Sequence, residues 1–268
     1  MVPAAAWPER LQQWLPADVL LLGEQHDAPD HQRLQREAVA WLASRGQLAA
    51  LVMEMAERGR STQGLPRDAS EAQAQAALQW DDAAWPWKAY GPVVMAAVGA
   101  GVPVLGGNLP RTRMRAAMAD ATLDQHLPAP ALAEQQQAMR DGHCGLLPES
   151  QIAPMARIQI ARDASLAQTA QEALRSGQTV LLVAGNGHVL RHLGVPTHWP
   201  ASLVSKVVVA QVEHAPAAIK SGAEADAVVQ TPALPPRDVC AELREQWRPA
   251  PPGKKVQKTD LLIRHEST

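Results

Sequence analysis

Five short runs rich in valine and leucine recur along the chain, each followed directly by polar residues: VLLLGEQH (19–26), AALVMEMAE (49–57), VPVLGGNLPR (102–111), VLLVAGNGH (180–188) and KVVVAQVEH (206–214). Apolar runs without polar alternation mark strands covered on both faces, as in a parallel sheet. AVVQT (227–231) and LLIRH (261–265) are weaker strand candidates. Between the first two runs, residues 30–44 place Leu34, Ala38, Trp41 and Leu42 on one helical face, with Gly46 as the stop. Strand, helix and strand in that order predict a βαβ unit with a right-handed crossover.

The stretch 63–87 carries no strand pattern; its alanine-rich part, 71–78, predicts a helix, followed by Trp80, Trp85 and Trp87. A second helix is predicted over 92–100, with Pro92 in its first turn and Gly101 at its end. The longest helical pattern covers 149–176, with Ile152, Met155, Ile158, Ile160, Leu166 and Leu174 apolar, Pro154 in the first turn and Gly177 as the stop. The predicted class is therefore α/β: a central, mainly parallel sheet flanked by helices, spanning 1–232 with a helical insert at about 63–87. Prolines at 232, 235, 236, 249, 251 and 252 predict an extended arm or tail over 233–268, where Lys254, Lys255 and Lys258 add a small solvated basic patch. The first run ends Gly-Glu-Gln-His and the fourth Gly-Asn-Gly-His, an echo that predicts duplicated half-domains.

Composition narrows the function. The 268 residues are 46% hydrophobic and 19% charged, enough for a buried core, and the formal charge of -2 gives no basic field, so nucleic acid is not an expected partner. With eight tryptophans, one tyrosine and no phenylalanine, an aromatic ligand platform must use Trp or Tyr90. The first apolar run is too short for a signal sequence or a membrane span, which predicts a cytoplasmic protein without a transmembrane segment, with a periplasmic or membrane-anchored one the alternative if a leader has been trimmed from the natural chain. Cys144 and Cys240 lie outside CxxC spacing, so neither a disulfide framework nor a cysteine zinc cluster is expected. His143-Cys144-Gly145 reads either as two soft ligands on a loop or as a turn with a buried thiol.

In open α/β sheets ligands collect beyond the carboxyl ends of the strands, and this chain's polar cargo sits there. Glu24 and His26 follow the first run, Glu54 lies in the second, Asn108 and Arg111 follow the third, and Asn186 and His188 follow the fourth. Glu213 and His214, after the fifth, read as structural. If one crevice gathers them, Glu24, His26, Glu54 and His188 are the candidates to bind a divalent metal or to act as an acid–base pair in hydrolysis. Each also has a structural reading: a cap or salt bridge for Glu24, a helix cap for His26, an ion pair with Arg58 or Arg111 for Glu54, a helix start for His188. Asn108, Arg111 and Asn186 are candidate ligand contacts, and Arg111 suits a carboxylate or propionate. His188, His192 and His198 form a weaker metal candidate, interrupted by Gly194 and Pro196. There is no P-loop, GxGxxG or GxSxG, which removes the usual support for nucleotide binding and serine hydrolysis.

Taken in order, LLGEQHDAPDHQRLQ (21–35), LVMEMAER (51–58), YGPVVMAA (90–97), VPVLGGNLPR (102–111), HCGLLP (143–148), ARIQIARDASLA (156–167), VLLVAGNGHVLRHLGVP (180–196) and ADAVVQTP (225–232) resemble the ChaN-like haem-binding family. That family lies within the wider Tiki, TraB and erythromycin-esterase-like group. The resemblance implies a parallel α/β fold, a role in bacterial iron and haem acquisition, and haem bound between two protomers, hence a homodimer. Family members often carry a lipidated leader cysteine; the first cysteine here is Cys144, so membrane anchoring is not implied. A phenolate is a reasonable haem ligand in this group, which points to Tyr90, with His143, His26 and His188 as alternatives. Related groups use GxxH and glutamate positions for hydrolysis, so a metal-dependent or general-base hydrolase is the second expectation.

Overall fold

The computed structural model describes residues 7–215 and 223–247. All five apolar runs and AVVQT form strands: β1 (Val19–Glu24), β2 (Leu48–Glu57), β3 (Val104–Asn108), β4 (Thr179–Gly185), β5 (Ser205–Val212) and β6 (Ala227–Thr231). They make one six-stranded sheet in the order β3-β2-β4-β1-β5-β6, with every pairing parallel. The candidate strand at 261–265 and the basic patch at Lys254, Lys255 and Lys258 lie outside the described residues.

Every residue of β1 and β4 is buried. Successive strand side chains point to opposite faces, so an unbroken apolar run feeds two cores at once. Leu20 and Leu22 pack into one layer with Leu34 and Trp41, while Val19 and Leu21 pack into the other with Ile160 and Leu166. The first layer is closed by helices α2 (Pro29–Ser44), α3 (Glu71–Leu78) and α4 (Trp87–Ala100), which follow the short N-terminal turn α1 (Trp7–Arg10). On the far side come α5 (Arg111–Ala119), α6 (Ala129–Gly142), the long α7 (Glu149–Glu172) and the single turn α8 (Asn186–Val189). The helix α9 (Val239–Gln246) ends the described chain.

Several boundaries differ from the sequence reading. Asp82 Oδ1 accepts the Trp87 N–H at 2.6 Å, so α4 starts five residues early and Pro92 is its sixth residue. Pro154 is likewise sixth in α7, and at 3.6 residues per turn both prolines fall in second turns. The helix predicted at 71–78 stands as read, held by a reciprocal cap between Ser70 and Gln73. Part of the expected extended arm is α9, started by Asp238 Oδ1 accepting the Ala241 N–H at 2.8 Å. Cys144 and Cys240 form a disulfide, which corrects the thiol and soft-ligand readings. Ninety-six residues of separation hid the pairing; the fold brings the two Cα atoms to 5.6 Å and fastens α9 to the turn after α6.

From β1 the chain moves across to β2, whereas from β4 it moves the other way, to β5. Adjacent strands whose connections diverge leave a crevice at their carboxyl ends. That is where β1 delivers Glu24 and β4 delivers Gly185, opposite each other in register.

Candidate functional site

The two GxxH elements leave the sheet side by side because β4 is inserted next to β1. Two glycines make that approach sterically feasible. A Cβ on Gly185 would stand 2.9 Å from His26 Nε2, and one on Gly23 would stand 2.5 Å from Asn186 Oδ1. On the other side of β4, β2 carries an irregularity: Met53 pairs with Gly106 and Glu57 with Asn108, so β2 spends two extra residues over that interval. The bulge includes Glu54, and such irregularities re-aim side chains at strand ends.

The structure brings Glu24, His26, Glu54 and His188 together and extends them into an alternating chain of acids and imidazoles. Asp163 Oδ1 lies 2.6 Å from His188 Nδ1, and His188 Nε2 lies 3.5 Å from Glu54 Oε1. Glu54 Oε2 is 3.9 Å from His26 Nε2, and His26 Nδ1 is 2.7 Å from Glu24 Oε1. The Tyr90 hydroxyl ends the chain, donating to Glu24 Oε1 at 2.6 Å. Glu24 and Glu54 are 2% and 1% exposed, so both depend on these partners.

Glu24 accepts from four donors. Gln32 Nε2 (2.7 Å) and Gln35 Nε2 (2.6 Å) occupy Oε2, while His26 and Tyr90 occupy Oε1. A carboxylate offers about four lone-pair positions, so none is left for a metal or a substrate. Glu54 is different. Its Oε2 accepts the Gly185 N–H at 2.8 Å, whereas Oε1, which faces His188 at 3.5 Å, has no hydrogen-bond donor among the described residues. Among the described residues no three His, Cys, Asp or Glu side chains are grouped to hold a metal ion, because these groups face one another.

Burial works against a proton on His188, yet the charges of Glu54 and Asp163 raise its pKa to about 10. Burial likewise opposes His26, whose bond to Glu24 and proximity to Glu54 nonetheless hold its pKa above the ordinary imidazole value. Burial alone would raise Glu54; the His188 and His26 charges and the Gly185 N–H hold it well below the usual carboxylate range. Asp163 is pushed by burial up to about 6, against the pull of His188. Burial and the Glu24 charge put the Tyr90 hydroxyl far above the usual phenol range. Near neutral pH His188 is therefore an imidazolium between the Glu54 and Asp163 carboxyl groups, and the alternation of acids and imidazoles is an arrangement able to store and pass protons.

The remaining candidates make contacts of their own. Arg111 pairs with Asp81 at 2.7 Å at the surface, and its N–H donates to Glu57. Asn108 donates to the Glu54 carbonyl at 2.8 Å, and Asn186 to the Ala210 carbonyl at 3.0 Å. His143 is bonded to the Met139 carbonyl at 2.8 Å at the end of α6, beside the disulfide. Tyr90, expected as a haem ligand, is buried with its hydroxyl donating to Glu24. Arg58, one partner considered for Glu54, instead meets Glu172 and Gln168. His192 pairs with Glu134 and His198 stacks on His126, so neither joins His188.

Three contributors were missed: Asp163, Gln32 and Gln35. All are polar residues on the buried faces of α7 and α2, among Ile160, Leu166 and Ala167 or Leu34 and Ala38. A charge or amide interrupting an apolar helical stripe was the signal available. His31 was missed too. Its Nδ1 accepts the Gln25 N–H at 2.8 Å, so Nε2 carries the proton toward Thr231 Oγ1 at 2.9 Å and ties the loop after β1 to the end of β6. Burial lowers its pKa, in keeping with that neutral ring.

One cavity touches this centre and a larger one does not. The first, of about 200 Å³, reaches Glu54 and Asn108 between Trp85, Arg162 and the Arg111–Asp81 pair. The larger, a cleft of about 910 Å³, lies away from the acid–imidazole chain, along the outer edge of β3 and against α7. Leu65, Val98, Val102 and Leu105 give it an apolar wall, and Arg58, Arg60, Arg113 and Arg175 stand around it.

These features define a doubly wound parallel α/β protein with a buried chain of carboxylates and imidazoles at its topological switch point. The chain belongs to the ChaN family of haem-binding uptake proteins in the Tiki superfamily, whose family model matches residues 10–198. It is similar in fold to the structure of cofacial haem binding to ChaN of Campylobacter jejuni, with a TM-score of 0.64 and 23% identity over 82% of this chain and 89% of that one. More distant is the type III effector HopBA1, with a TM-score of 0.47 and 13% identity over 87% of this chain and 96% of that one. A Bacillus cereus protein gives a TM-score of 0.43 and 14% identity over 78% of this chain and 70% of that one. No curated protein matches the chain. Among the described residues no helix is long and apolar enough to cross a membrane.

Proposed function

We propose that this protein binds haem and serves haem or iron acquisition, and that the cleft along β3 receives the macrocycle. Family membership over residues 10–198 is the observation that carries this reading. The cleft supports it physically: about 910 Å³ is within the range of ligand pockets, its wall is apolar, and arginines can meet two propionates. The residues around it include no histidine, tyrosine, cysteine or methionine, so the iron's axial ligand comes from outside the cleft. A second copy of the chain facing the first would supply it, which makes a haem-linked homodimer part of the proposal. When bound, the haem would supply iron as cargo. This chain's residues would bind and orient it.

The hydrolytic alternative has less support, because Glu24 has no open acceptor and the four candidate residues are not grouped as metal ligands. We place the protein in an oxidising compartment rather than the cytoplasm, since the Cys144–Cys240 disulfide would not persist among reducing thiols.

Titration with haemin followed at the Soret band tests the function, with sedimentation in parallel. Saturable binding with dimerisation, weakened at least about tenfold by Arg113→Glu with Arg175→Glu, is expected; each tenfold corresponds to about 1.4 kcal/mol. Absence of saturable binding overturns the reading, and unchanged affinity in the double variant overturns the placement.

A further inference from the structure

The smaller cavity has features of a built site that haem binding does not use. At about 200 Å³ it is less than a quarter of the larger cleft, and it ends on Glu54 and Asn108. Two acceptor atoms there have no hydrogen-bond donor among the described residues: Glu54 Oε1, on a side chain 1% exposed and facing His188 Nε2 as an ion-pair partner at 3.5 Å, and Asn108 Oδ1, on a residue 8% exposed. Native structures rarely leave buried acceptors unsatisfied, because such a group loses its water without gaining a partner. The position of Asn108 is fixed by its own amide, which donates to the Glu54 carbonyl, so its oxygen is held in place. One of the two acceptors carries a formal charge, and together they call for a cationic donor.

The opposite requirement stands on the same cavity. Arg60 lines it, half-buried, and no ion pair or side-chain hydrogen bond to a described residue engages its guanidinium. The Arg111 guanidinium, by contrast, is taken by Asp81. A cation without an acid partner among the described residues, on the wall of a pocket, favours an anionic group in the occupant. Met55, Leu78, Trp85 and Met114 provide apolar surface between these polar ends.

We propose that this cavity binds a small zwitterion of the size of a free α-amino acid, its ammonium on Glu54 Oε1 and Asn108 Oδ1 and its carboxylate on Arg60. The site is separate from the haem cleft, although Arg60 borders both. Its contact with Glu54 couples it to the acid–imidazole chain. An ammonium placed on Glu54 competes with the imidazolium rings for the same charge, so occupancy lowers the proton affinity of His188 and His26.

Each of the twenty free α-amino acids is titrated singly into the purified full chain by calorimetry. The best binder is then compared with its N-acetyl and its amide derivatives, which remove one charge each. At least one amino acid is expected to bind saturably at one per chain, and each derivative is expected to lose at least about tenfold in affinity. Asn108→Leu and Arg60→Leu should each lose a similar factor, with Asn108→Leu leaving the haem Soret titration unchanged; circular dichroism confirms that the variants are folded. No saturable binding by any amino acid overturns the proposal. So does binding that survives loss of either charge, whether or not the variants fold. Because haem is titrated separately, failure here and failure of the haem reading are distinguishable.

Discussion

Replacing Glu54 with glutamine removes one charge from the middle of the chain while keeping an acceptor for the Gly185 N–H at 2.8 Å. His188 and His26 would then each retain a single acid, Asp163 at 2.6 Å and Glu24 at 2.7 Å. Breaking a buried ion pair costs about 3–5 kcal/mol, and the surviving partners put this case at the lower end, about 3 kcal/mol. The proton affinity of His188 gives an independent figure. A rise from 6.5 to about 10 is about 5 kcal/mol of preference for the protonated ring, net of the opposing burial penalty, with the Glu54 charge the largest favourable cause. Because the folded value is raised, this stabilisation is complete below pH 6.5 and is lost as pH rises through about 10. Asp163 acts in the same sense over a lower window: its raised value favours the folded state below 3.8 and that contribution is gone above about 6, so it does not shape the alkaline limb. Urea denaturation of both proteins from pH 6 to 10.5, with NMR titration of the histidine rings, should show Glu54→Gln weaker by about 3 kcal/mol at pH 7, its His188 titrating at lower pH. A loss below about 0.5 kcal/mol, the range of an ordinary surface change, with His188 titrating as before would refute the ion-pair account.

Tyr90→Phe deletes a buried hydrogen bond to a charged acceptor and should cost about 1.5–3 kcal/mol by denaturant titration, while the haem Soret band is unaltered; a changed Soret band would show that the tyrosine reaches iron after all. Cys240→Ser opens a loop of 96 residues and should destabilise the oxidised protein by about 4–5 kcal/mol, an effect that reductant reproduces in the wild type; equal melting of oxidised and reduced wild type would contradict the disulfide.

The sheet was legible because buried parallel strands announce themselves as apolar runs, and here even the weak AVVQT run forms a strand. Helix starts were less so. The onset of α4 depends on Asp82 capping Trp87 from five residues away, a contact that apolar periodicity does not encode. Glu24, His26, Glu54 and His188 were readable as a group because carboxylates and histidines at the ends of apolar runs have few structural uses. Their partners Asp163, Gln32 and Gln35 were obscured because they sit inside helices, where one polar residue among many looks solvated until packing shows which face is buried. Tyr90 and Arg111 show the same dependence on packing. Residue type shows what a side chain is able to hold, whereas Glu24 and Asp81 had already engaged these two.

Strand order and site chemistry are linked by a spacing argument. Glu24 and Glu54 belong to β1 and β2, which are not neighbours, because β4 lies between them. Adjacent strands are about 4.8 Å apart, so the insertion separates the backbones carrying the two carboxylates by about 9.6 Å. Two buried carboxylates on adjacent strands would repel and one would take up a proton. At double spacing there is room for an imidazole between them, and the inserted strand supplies what fills the gap: Gly185, small enough to admit His26, and then His188. The glycine in the second GxxH element is thus a spatial requirement of the first. Any side chain at 185 would collide with His26 and part the two halves of the acid–imidazole chain.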